Sequence, residues 1–248
     1  MNQSRIRKAC TCLELFAVKT VIQFPPANRS MIRQAFTLLE LLVVMAIIGV
    51  LAGLLMPGIQ GAVMNGKQVN ALNSARQIGF ALRMYANDND GAYPTKQNSY
   101  GEDIVTSNDA FRGLIPTYLD TERVFTVTGS KAGPSADNVI NDAAHILQAG
   151  ENHWAFVSGP TPGSNSNWPL IVDHTDGMGY YVTQEGQLGG TWKGTKAIVI
   201  NADNSAHMVP LVAQGDKRFI PRFDDKTKNA LTVADYMGDS AKLLEPAR

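Results

Sequence analysis

Residues 36–56 read FTLLELLVVMAIIGVLAGLLM, with one charge, Glu40, and one hydroxyl, Thr37. An apolar helix of ~20 residues is long enough to span the hydrocarbon of a bilayer. A core helix of a globular domain would break such a run with a polar residue every turn or so. A secretory signal peptide would carry a shorter apolar region and a small-x-small cleavage site behind it. Met56-Pro57-Gly58 follow instead, and the apolar pattern resumes in weaker form. The run therefore reads as a retained membrane span. Glu40 lies one turn inside it, with no basic partner in the helix. A carboxylate in hydrocarbon is costly, so Glu40 either snorkels to the interface or awaits a cation from another subunit.

The flanks set the orientation. Residues 1–35 hold six basic side chains (Arg5, Arg7, Lys8, Lys19, Arg29, Arg33) against Glu14 alone. Taking these from the totals of 22 and 22 leaves 16 basic and 21 acidic residues in 36–248, a net charge of about −5. The positive-inside rule then puts 1–35 in the cytoplasm and the chain beyond 57 on the far side. A balanced total offers no basic field for nucleic acid, so no nucleic-acid partner is expected. Cys10 and Cys12 also lie in the first 35 residues, and nothing completes a metal site around them. Without that segment the chain has no disulfide, thiolate ligand or Cys nucleophile.

Arg33-Gln34-Ala35 followed by Phe36-Thr37-Leu38-Leu39-Glu40 resembles the N-terminus of type IV prepilins and type II secretion pseudopilins. The resemblance covers roughly residues 29–90. It implies cleavage between Ala35 and Phe36 by prepilin peptidase and methylation of the new Phe36 amine. It makes Glu40, the fifth mature residue, the assembly residue, and Pro57 the helix-breaking proline. It also implies an inner-membrane protein with a periplasmic C-terminal domain, assembling with other pilin subunits on a membrane platform driven by a separate ATPase. Two features depart from the pattern. Ala35 stands where the family prefers Gly, and the leader is long. A start at Met31 would leave a five-residue leader, MIRQA. The expected organisation is a leader over 1–35, a span over 36–56, a periplasmic helical half over 57–90 and a globular domain over 91–248.

Beyond the bilayer, Ile59, Val63, Val69, Leu72, Ala75, Ile78, Leu82 and Tyr85 recur at mostly helical steps. The helix is expected to continue to about 87, its second half packing on the globular domain. Pro57 cannot donate to the Gly53 carbonyl, and Gly58, Gly61 and Gly66 each weaken helix by roughly 1 kcal/mol, so 53–66 is expected to kink or melt. Asn87-Asp88-Asn89-Asp90-Gly91-Ala92-Tyr93-Pro94 reads as a helix stop. As an EF-hand loop it would lack ligands at its first and twelfth positions, Ala86 and Gln97.

Residues 95–248 suggest a short helix at 109–119, interrupted or ended at Pro116, and another at about 136–148, capped by Ser135. Strand candidates are 123–128, 153–158, 170–173, 179–183, 197–201 and 207–212, the last two forming a hairpin. Residues after 213 read as a polar tail with an apolar patch at 230–237. The expected fold is α+β and pilin-like, a long N-terminal helix packed on a small antiparallel sheet. His145, His153, His174 and His207 show no compact ligand spacing. Asp173 and Asp176, in Asp-His-Thr-Asp-Gly, are candidate calcium ligands, with no other cofactor expected. Gly189 to Lys196 places Thr195 before Lys196, so it is not a phosphate loop. Trp154, Trp168 and Trp192 are expected in aromatic packing. No nucleophile–base constellation appears; a structural filament subunit is the role that the resemblance implies. A membrane-anchored periplasmic binding module, with the helix as a tether, is the alternative.

Overall fold

The computed structural model describes residues 37–98, 100–130 and 136–248. They belong to two compact units, Met1–Leu54 and Leu55–Arg248. Helix α1, Leu38–Asp88, runs unbroken through Pro57, Gly58, Gly61 and Gly66, so Pro57 does not end the helix in this state.

In the second unit, α1 is buried later than its apolar pattern implied. Ile59, Val63 and Val69 are 54%, 52% and 50% exposed, whereas Ala71, Ala75, Ile78, Leu82 and Tyr85 are buried. The helix stop is as expected. The Gly91 N–H donates to the Ala86 carbonyl at 2.8 Å, and the Asn89 side-chain amide donates to the Tyr85 carbonyl at 2.8 Å.

Helix α2 covers Ser107–Arg112, shorter than the expected 109–119. Thr106 and Asp109 form a reciprocal capping box that fixes its start, and Gly113 caps its end. A 3-10 turn at Arg123–Phe125 replaces the expected strand at 123–128. Residues 136–148, expected as helix, form loop and turns; Ser135 lies outside the described residues. Asn138 and Leu147 adopt positive φ there, and the Asp137 and Asp142 carboxylates each accept from the backbone N–H two residues on. Such local bonds compete with helix and win here.

Strands β1 (Trp154–Ser158), β2 (Pro169–Asp173), β3 (Lys196–Asn201) and β4 (Ala206–Pro210) match four of the expected strands to within a few residues. Asn204, at φ 68°, and the Asn204 N–H to Asn201 carbonyl bond of 2.8 Å close the expected β3–β4 hairpin. The expected strand at 179–183 reduces to one bridge, Tyr181 with Arg218. The expected tail is instead structural. It forms the β5 (Val212–Gln214) and β6 (Lys217–Phe219) pair, helix α3 (Val233–Met237) and strand β7 (Lys242–Leu244). β7 completes an antiparallel sheet of order β4-β3-β2-β1-β7.

Every residue of β1 and β2 is buried, because the sheet is covered on both faces. Trp154 and Phe156 join α1 and α2 in one core, where Phe111 meets Phe125 and Phe156 at ring centroid distances of 5.3 and 5.6 Å. Ala155 and Val157 face Ile220, Leu231, Val233 and Ala241 from the C-terminal segment. Each large apolar side chain so buried contributes about 1.5–3 kcal/mol of transfer free energy. The architecture is α+β and pilin-like: a long N-terminal helix, then a short helix and a five-stranded antiparallel sheet.

Candidate functional site

The functional region of α1 is its first nineteen residues, Leu38–Met56, none of which is buried. Leu38, Leu42, Ile48, Leu51 and Leu54 are 54–82% exposed. A continuous apolar surface of this size is stable only against lipid or other protein.

Thr37 and Glu40 shape its start. The Thr37 N–H and hydroxyl donate to Glu40 Oε2 at 2.9 and 2.8 Å, and the Glu40 N–H donates to Thr37 Oγ1 at 3.2 Å. This is a capping box, which satisfies helix-terminal donors that hydrocarbon could not. The Thr-x-x-Glu spacing was legible in the sequence, although the charge of Glu40 drew the attention. Ala35 and Phe36, the expected cleavage junction, lie outside the described residues.

Asp173 and Asp176 occupy two different environments. Asp173, 2% exposed at the end of β2, accepts from His153 Nε2 at 2.8 Å, Trp192 Nε1 at 3.0 Å and the Ile198 N–H at 2.6 Å. Asp176 organises a loop: its Oδ1 accepts from the Met178 and Tyr180 N–H groups, and its Oδ2 from Lys217 Nζ at 2.7 Å. Both carboxylates thus already have protein donors. His153 and His174, twenty-one positions apart in the chain, meet with their Nδ1 atoms 3.2 Å apart. No spacing rule could have found that pair, since hydrogen bonding across β1 and β2 creates it. Of the tryptophans, Trp154 and Trp192 are buried, and Trp168 packs edge-on to Tyr236.

Burial, then the neighbouring His153 and Arg248, hold the His174 imidazole well below its ordinary 6.5. The unfolded chain therefore binds a proton near pH 6.5 that the folded chain refuses, and stability is lost as the pH falls through that value. The expected slope below 6.5 is at most about 1.4 kcal/mol per pH unit. Glu122 and Glu245, whose carboxyls burial raises above 4.5, act with the opposite sign toward their own range. Urea unfolding of the full chain at pH 6.5 and one unit below checks this; constant or rising stability would contradict it.

No curated protein and no solved structure matches the chain. Residues 31–56, which run from Met31 through the exposed apolar span, match the family model described as the prokaryotic N-terminal methylation motif. That motif family is structural rather than catalytic, and this chain carries the motif at the head of a pilin-like fold.

Proposed function

We propose that the chain is a structural, non-catalytic subunit of a type II secretion pseudopilus or a related type IV pilus-like filament, the pseudopilus being preferred. The observation that carries this reading is the methylation motif over 31–56, whose residues from Leu38 on form an apolar helix that the other described residues leave uncovered. In this reading the precursor sits in the inner membrane with its C-terminal domain in the periplasm. Prepilin peptidase cuts between Ala35 and Phe36 and the Phe36 amine is methylated, which retains its positive charge.

The span serves first as a membrane anchor and then as the helical core of the filament. In a stack of subunits the Phe36 amine of one copy approaches Glu40 of the next. Each charge is costly alone in a low-dielectric core, and pairing them selects one register. The chain supplies no motor in this reading, so a membrane platform and an assembly ATPase do the work.

Mass spectrometry of the protein recovered from cells containing prepilin peptidase tests the reading. The expected N-terminal peptide begins at Phe36 and is one methyl group heavier than its sequence. An intact Met1 or Met31 start would overturn it in favour of an anchored periplasmic binding module.

A further inference from the structure

We propose that Glu122, Asp137 and Glu151 form a binding site for a divalent cation of the calcium class. One oxygen from each carboxylate lies within 4.8 Å of the other two. The three come from different places: the residue before the 3-10 turn, the loop at 136–148, and the approach to β1. Glu122 is fully buried and Glu151 is 7% exposed, while Asp137 is exposed and gives the route in.

The backbone already aims these groups. The Leu147 N–H donates to Glu122 Oε1 at 2.5 Å, and the Gln148 N–H to Glu151 Oε2 at 2.6 Å. The Asp137 N–H donates to Glu151 Oε1 at 3.1 Å, and Asp137 Oδ1 accepts from the Val139 N–H at 2.8 Å. The remaining oxygen of Glu122, Oε2, is buried and has no hydrogen-bond partner among the described residues. Among the described residues, no lysine, arginine or histidine forms an ion pair with any of the three.

Three carboxylates at this spacing repel one another, and a buried acceptor without a donor is rare in a folded protein. A proton or a cation resolves both problems. A cation meets the charge of all three groups, where a proton meets one. The donors are oxygen alone, with no imidazole or thiolate, which suits a hard cation over a transition metal. An irregular set drawn from loops suits calcium over the strictly octahedral magnesium. The ion would tie the 3-10 turn to the loop before β1. The inference is independent of filament assembly and uses neither Asp173 nor Asp176.

Equilibrium dialysis of the full chain in detergent micelles against calcium chloride tests it, with thermal unfolding followed by near-ultraviolet circular dichroism. We expect one calcium per chain. At free calcium about a hundredfold above the dissociation constant, the folding constant rises about a hundredfold and the midpoint by roughly 5–10 °C. Asp137→Asn should lose the binding and the shift, while Asp176→Asn should keep both. Glu122→Gln should lose the calcium response and melt no lower than wild type in chelator, because the repulsion is relieved. The proposal is overturned if the wild-type midpoint is the same in chelator and in calcium, or if Asp137→Asn responds like wild type. Loss of calcium binding in Asp176→Asn with retention in Asp137→Asn would also overturn it.

Discussion

Glu40→Ala is expected to insert into the membrane like wild type and to stay out of the proposed filament. Insertion depends on the summed hydropathy of Leu38–Met56, and removing a carboxylate from that span only raises it. In the proposed filament, assembly depends on what Glu40 offers a neighbour. Its partners among the described residues are the backbone and hydroxyl of Thr37, all on the capping turn. Those bonds to the carboxylate engage Oε2 alone and leave its charge uncompensated, and a cation on an adjacent subunit would supply the compensation.

Two variants separate charge from capping. Gln can replace Glu in a capping box, since its side-chain oxygen accepts the same backbone N–H. If Glu40 matters only as a cap, Glu40→Gln assembles and Glu40→Ala does not. If the charge sets register, both fail, and assembly falls at least tenfold for the loss of ~1.4 kcal/mol or more per contact. The measurement is crosslinking of variant subunits co-expressed with wild type, with membrane fractionation as the insertion control. Recovery of Glu40→Gln in filaments at the wild-type level would remove the electrostatic step.

Asp173→Ala is expected to cost about 3–5 kcal/mol, a large share of the ~5–15 kcal/mol that holds a typical domain together. The side chain is 2% exposed and accepts three donors, from His153, Trp192 and the Ile198 backbone. Alanine leaves all three buried and unpaired, each costing about 1–3 kcal/mol less what relaxation or water recovers. It also cuts a connection between β1, β2 and β3, because His153 precedes β1 and Ile198 lies within β3. Asp173→Asn should cost less, since one oxygen still accepts, but its amide faces donors and cannot replace the other. Urea unfolding of the full chain in detergent, followed by tryptophan fluorescence, checks the order. A loss below about 1 kcal/mol for Asp173→Ala would mean the network contributes little.

The contrast between these two acids marks the limit of the sequence. Glu40 stood out because a charge in an apolar run is anomalous on local grounds alone. Asp173 read as a candidate calcium ligand beside Asp176, because nothing near it in the chain reveals the donors that converge on it. The same division runs through the elements. The apolar span, the stop at Asn87 to Pro94 and the β3–β4 hairpin depend on near neighbours, and the sequence reading found each of them. The 3-10 turn at Arg123–Phe125 and the loop at 136–148 were misread because apolar content and a nearby cap residue suit several local structures. The last thirty-five residues were misread because β7 is short and becomes a strand only where β1 offers an edge.

By itself, the amino-acid sequence determined the membrane-length helix, the charge of Glu40 one turn inside it and the segment that matches the methylation motif, since hydropathy, length and spacing act along the chain. The tertiary structure alone decided the meeting of His153 with His174, the burial of Asp173 and the convergence of Glu122, Asp137 and Glu151. Each of these needs residues far apart in sequence to be held within a few ångströms, and only the pairing of strands and the packing of loops brings them there.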